Sequence, residues 1–166
     1  HSDPATLLTA LDARLTLTST SGSRQLSIAS FTTGLMETAR RHDEILVTIS
    51  VPEPASNAGV AYERFKLHER PTAAVAAVIA VDDGAITDAR VVAGSVGERP
   101  QRLLETEAIL RGKPAAAESA TIAADVIRVG VLEEVSRGAV LHGVVEVALL
   151  VGDGRVPHLR RAATVD

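Results

Sequence analysis

A chain of 166 residues with a formal net charge of −4 has room for one domain, or for one small domain and part of another. Its hydrophobic fraction is 46%, yet Phe31, Phe65 and Tyr62 are its only aromatic residues, so the core must be built from Ala, Val, Leu and Ile, and nucleic-acid bases would find almost no stacking platform. The acidic balance argues against a polyanionic partner, and the lack of cysteine excludes disulfides, iron–sulfur ligation and a thiolate nucleophile supplied by this chain. No run reaches the roughly 18 apolar residues of a membrane-spanning helix, and the N-terminus lacks the basic-then-apolar pattern of a signal peptide. A cytoplasmic chain without a membrane span is therefore expected. Because it opens on His1 without an initiator Met, further sequence upstream is expected as well.

In chain order, "SDPATLLTALDARL" offers Asp3 as an N-cap, Pro4 at the first helical position and Leu7, Leu8 and Leu11 at helical spacing, which predicts a short helix. Leu15 with Leu17, and Leu26 with Ile28, alternate on either side of a Ser/Gly turn at Gly22 and predict a β-hairpin. "TGLMETARRHDEILVTISVPEP" reads as a brief helix-like piece, a turn at His42 and Asp43, and a strand from about Glu44 to Val51. In that strand Ile45, Val47, Ile49 and Val51 share one face, and Leu46, Thr48 and Ser50 the other.

The stretch "PEPASNAG", residues 52–59, interrupts both periodicities and is the best boundary candidate. Residues 60–96 predict three antiparallel strands. The uncharged "AAVAAVIAV" should be the central one, turning into its neighbour across Asp82, Asp83 and Gly84. Beyond Pro100, "QRLLETEAILRG" predicts a helix stopping at Gly112, and "PAAAESATIAADVIRV" a second helix. The Val-rich segment "GAVLHGVVEVALLVGDGRVPHLRR" reads by propensity as a hairpin, although packing could make its first half helical.

Isolated catalytic motifs are scarce. The histidines at 1, 42, 68, 142 and 158 show no metal-ligand spacing, so no metal site is expected. There is no Gly-x-Ser-x-Gly elbow and no phosphate loop, and acidic pairs such as Asp82 with Asp83 or Glu133 with Glu134 sit in turns or on solvated faces. What distinguishes the chain is the succession "FTTGLMETARRHDEILVTISVPEP", "AYERFKLHERPTAAVAAVIAV" and "DGAITDARVVAGSVGERPQRLLETEAILRGK". From about residue 1 to residue 113 it resembles the FAD-binding (medium) subunit of molybdenum hydroxylases, a family that includes carbon monoxide dehydrogenase and xanthine dehydrogenase.

The resemblance implies an α+β fold: residues 1–54 as the C-terminal portion of an FAD-binding lobe, then residues 58–166 as a C-terminal domain with a three-stranded antiparallel sheet packed on helices. It also implies FAD as cofactor and two partners, an iron–sulfur subunit that delivers electrons and a molybdenum subunit where hydroxylation occurs. Three residues are implied near the flavin. Lys66, in the "FK" position, would reach the isoalloxazine ring, where a cation stabilises the charge developed on reduction; strand parity turns it away from Phe65 and Leu67. Leu46, in the "EIL" position, would touch the flavin or pack beneath the neighbouring lobe. Asp3, in "HSDPA", would match an acidic residue near the cofactor, or serve as an N-cap. The Gly-rich pyrophosphate loops of such subunits have no match here, so the chain by itself is expected to bind FAD weakly. The competing reading is a non-catalytic α+β assembly module that has lost its cofactor.

Overall fold

The computed structural model describes residues 3–66 and 71–123, with residues 65, 66, 71 and 72 described as backbone. His68 and the Val-rich C-terminal segment fall outside the described residues.

Helix α1 (Asp3–Ala10) forms where the leucine spacing predicts it. It closes with paired backbone bonds, Ala13 N–H to Leu8 O at 2.9 Å and Asp12 N–H to Thr9 O at 3.2 Å, with Asp12 in the left-handed region at φ 55°. This turn feeds β1 (Arg14–Ser19), which pairs antiparallel with β2 (Gly22–Ser27) in the expected hairpin, Leu15 opposite Leu26. A single-turn helix α2 (Ile28–Phe31) follows, capped by the Ser27 hydroxyl, which accepts from Ser30 N–H at 3.1 Å. Next, β3 (Thr32–Gly34) and β4 (Glu37–Thr38) make a small hairpin with Leu35 and Met36 at its tip. This corrects the helix-like piece expected there. β-branched Thr32, Thr33 and Thr38 suit extended backbone, and the segment offers no apolar stripe that a helix could bury.

Strand β5 (Ile45–Ser50) lies on the other side of β1, giving the order β2-β1-β5. Its pairing is not regular. Leu17 stands opposite Leu46, and Thr16 opposite Thr48, so Val47 has no partner in the ladder. A bulge of this kind inserts one residue and breaks the period of two. Since Leu15 and Leu17 share a face, their partners Ile49 and Leu46 share it too, and the strict alternation expected from Ile45 to Val51 does not hold.

The second sheet has the order β6-β7-β8-β9, from β6 (Ala58–Lys66), β7 (Pro71–Asp82), β8 (Ala85–Gly94) and β9 (Gln101–Arg102). The three expected strands are thus joined by a short fourth, cut from the beginning of the expected helix. Asp83 and Gly84, at φ 47° and 73°, form the two-residue turn between the paired residues Asp82 and Ala85. On one face Val75, Ala77 and Ile79 of β7 pack with Val91 of β8, Leu110 of α3 (Leu104–Leu110) and Ala120 of a helical segment described from residue 117 to 123. On the other face Ala76, Val78 and Val92 meet Ala10 of α1, flanked by Leu7 and Leu11. Each buried Val, Ile or Leu contributes about 1.5–3 kcal/mol relative to exposure. Helix α3 gives way to a left-handed Gly112 at φ 79°, the stop read from the sequence.

Candidate functional site

Helices α1 and α2, strands β1 and β5, the β3–β4 hairpin and the loop after β8 line a groove of about 460 Å³. Its apolar wall is formed by Leu8, Leu15, Ile28, Phe31, Leu46 and Ile49. Polar groups mark the rim: Thr32, Glu37 and Thr38 from the small hairpin, and Ser95, Glu98 and Arg99 from the loop, while Thr6 of α1 is buried in the wall. The bulge in β5 brings Leu46 and Ile49 to the same wall. Two non-glycine residues in the left-handed region, Met36 at φ 59° and Ser95 at φ 64°, flank the groove from the hairpin tip and from the loop.

The three sequence-predicted residues fall at different places. Leu46 is half-buried, packs with Leu8, Phe31 and the buried Leu15 and Ile28, and lines the groove. Asp3 opens α1, and its carboxylate reaches β6: Oδ1 accepts from the Tyr62 hydroxyl at 2.7 Å, and Oδ2 is ion-paired with Arg64 Nη1. Burial pushes the Tyr62 hydroxyl above its ordinary range, and the bond to the Asp3 carboxylate adds to that. Lys66 is described as the backbone end of β6, paired with Pro71; the register shifts between Phe65 and Lys66, so the regular alternation used to orient Lys66 does not run through to it. Tyr62, Arg64 and the loop 95–100 were not singled out in the sequence. The signal for the first two was present, since they alternate on β6 and so share a face. Nothing in "SVGERP" beyond turn composition pointed to the groove.

Two buried carboxylates hold the loops around this region. Glu44, 5% exposed, accepts from Arg24 Nε at 2.6 Å, Arg24 Nη2 at 2.8 Å and Arg41 N–H at 2.7 Å. These bonds, Arg24's first, hold its carboxyl down at about 2. Glu107, 1% exposed, accepts from Arg102 Nη2 at 2.6 Å, Arg102 Nε at 3.0 Å and Val91 N–H at 3.1 Å, which ties α3 to β8 and β9. Among the described residues no cluster of His, Asp and Glu is placed to hold a metal ion, and no helix is long and apolar enough to cross a membrane.

Two family models match in succession. Residues 1–54 match the FAD binding domain in molybdopterin dehydrogenase, and residues 61–139 match the CO dehydrogenase flavoprotein C-terminal domain. The nicotinate dehydrogenase FAD-subunit of Eubacterium barkeri is 29% identical over 126 residues, covering 70% of this chain and 42% of that protein. Carbon monoxide dehydrogenase from Hydrogenophaga pseudoflava superposes with a TM-score of 0.78 at 26% identity, over 93% of this chain and 57% of its own. The chain belongs to the FAD-binding (medium) subunit family of the molybdenum hydroxylases.

Quinoline 2-oxidoreductase from Pseudomonas putida 86 shares the fold, with a TM-score of 0.78 at 21% identity over 93% of this chain and 57% of that one. The chain spans about half the length of the medium-subunit relatives it matches. The groove lies where the two matched segments meet: α1, β1 and β5 come from the first, the loop 95–100 from the second.

Proposed function

We propose that this chain forms part of the flavin site in a molybdenum hydroxylase-type oxidoreductase, in the medium subunit that takes electrons from the iron–sulfur clusters of a partner and passes them to an external acceptor. The observation carrying this reading is the groove, with one apolar wall, a rim of hydroxyls, Arg99 and the carboxylates of Glu37 and Glu98, and Leu46 in its lining. Its chemistry fits a planar ring system that presents apolar faces and polar edges, and its volume lies within the range of small-molecule sites, about 300–1,000 Å³. FAD, when bound, supplies the acceptance and release of electrons.

The chain's own residues would bind and orient. Leu46, Ile49 and Phe31 would exclude water from the ring's face, while Ser95 would offer a hydrogen bond at its edge. The Asp3 carboxylate, held by Tyr62 and Arg64, fixes the start of α1 beside the groove. Lys66 belongs to the reading through the family resemblance, as the cation that would stabilise a reduced ring. Residues 1–54 and 58–166 would then act as two walls of one site, contributed by the FAD-binding lobe and the C-terminal domain.

The test is Leu46→Ala in the full-length protein, titrated as apoprotein with FAD. Removing three side-chain carbons from the wall should weaken FAD binding about tenfold, on the scale of 1–2 kcal/mol for a truncated apolar contact. An unchanged dissociation constant in a folded variant would move the flavin elsewhere.

A further inference from the structure

Gly94 ends β8 opposite Ala74 of β7, and it is not among the glycines with positive φ, so any residue could adopt its backbone conformation. Space, not conformation, demands glycine. A Cβ at this position would overlap the Thr6 hydroxyl outright and stand 2.9 Å from Thr6 Cγ2 and 3.0 Å from Thr6 Cβ. Neither side yields easily. Gly94 is fixed by its ladder with β7, and Thr6 is 1% exposed on a helix anchored through the fully buried Ala10 against Ala76, Val78 and Val92.

The contact stands at a seam of the groove. Thr6 is part of the helical wall, and Ser95, the residue after Gly94, begins the loop wall at φ 64°. The same helix carries Asp3 to Tyr62 and Arg64. Whatever sets α1 against β8 therefore sets the groove's width and the place of the Asp3 carboxylate together.

We propose that the Gly94–Thr6 contact is the registration point of the groove, and that both are positioning residues for the flavin; this rests on the function proposed above. A methyl group at 94 would lift α1 by about 1 Å, the scale on which misplacement alone becomes costly to a site. Ala5 and Leu8 would move away from Leu46, and Asp3 from its partners.

The experiment uses the full-length apoprotein, titrated with FAD by flavin fluorescence, with thermal melts and amide hydrogen exchange in parallel. Gly94→Ala should raise the FAD dissociation constant about tenfold and speed exchange across residues 3–10. Adding Thr6→Gly, which removes the obstructing atoms, should return the dissociation constant to within about threefold of the parent. Leu110→Ala, in the core on the opposite face of the sheet, should lower the melting temperature and leave FAD affinity unchanged, which separates positioning from stability. Parental affinity in Gly94→Ala, or a loss that Thr6→Gly does not reverse, overturns the proposal. If Gly94→Ala fails to fold, the double variant decides: folded with near-parental affinity upholds the contact, unfolded overturns it. A parent that binds no FAD overturns the flavin reading and the positioning role together, an outcome distinct from a parent that binds FAD and is indifferent to Gly94→Ala.

Discussion

In the sheet β6–β9 the central strand is covered twice, by α1 on one face and by α3 with the segment after residue 117 on the other, and residues 73–79 are all buried. In the sheet β2-β1-β5 the central strand buries one face only, with Leu15 and Leu17 at 1% and 0% exposure, and Ile45 and Val47 of the neighbouring β5 are 69% and 55% exposed. Strand β5, "ILVTIS", is as rich in β-branched and aliphatic residues as β7. Apolar character in a strand therefore reports what can be buried, and the covering element decides what is. In the first sheet every layer is supplied by the described chain; in the second, Ile45 and Val47 of β5 stay in solvent.

The sharpest way to break this contrast is to place the same charge in both sheets. Val78→Asp puts a carboxylate against Ala10, Ala76 and Val92, and although Arg90 stands opposite on β8, desolvating the charge costs several kcal/mol against a total stability of about 5–15 kcal/mol. The chain should unfold. Val47→Asp, on the bare face of β5, should shift stability by about 0.5 kcal/mol or less. Urea denaturation of the two variants checks this, and equal losses would mean that the faces are not differently covered.

A smaller effect separates the ways in which the two regions hold their loops. Glu107→Ala takes the carboxylate from Arg102 and leaves the buried Val91 N–H without its acceptor. Because Arg102 is 40% exposed and can regain water, we expect about 2–3 kcal/mol, less than for a fully buried pair. Denaturant midpoints for Glu107→Ala and Glu107→Gln should fall in that order, the amide keeping part of the network.

Glu44 holds the other region, and its effect is one of pH. Its carboxyl titrates at about 2 when folded, against 4.5 for the unperturbed group. A folded-state value that is depressed means stability fully present above pH 4.5 and lost as the pH falls from there toward 2. Melting temperatures of the parent should drop more steeply than those of Glu44→Gln across that window, and the two curves should run parallel above it. Parallel curves throughout would remove Glu44 from the acid transition.

What was legible in the sequence follows the same division. The central position of β7, the turn at Asp83 and Gly84, the first hairpin and the stop at Gly112 could all be read, because uncharged runs, left-handed turn residues and helical spacing act locally. The bulge at Val47 could not, since it arises from pairing with β1, a partner the local pattern does not contain. Glu107 falls in the predicted helix with nothing local to mark it as buried, and only the approach of Arg102 and the Val91 amide makes a buried carboxylate tolerable there. Of the candidate site, Leu46 reached the groove wall; Tyr62 and Arg64 could be placed on one face of β6, but their partner Asp3 and the role of the loop 95–100 became visible only once α1 was seen to lie across the second sheet. The flavin reading came from the order of segments, which no single residue carries.

The smallest expected effect concerns the bare face itself. Ile45→Thr with Val47→Thr keeps two β-branched side chains in the strand, so the backbone preference survives while apolar surface is withdrawn from solvent contact. If that face packs on nothing in this chain, no burial is lost, and the double variant should match the parent in denaturant midpoint within about 0.5 kcal/mol. Apolar surface in water nonetheless favours self-association, and β5 lies at one side of its sheet with β1 as its neighbour. The variant should therefore stay monodisperse at concentrations where the parent begins to associate, as followed by light scattering over a dilution series. A stability loss above about 1 kcal/mol would show that Ile45 and Val47 are covered in solution, and would erase the difference between the two sheets from which the prediction was drawn.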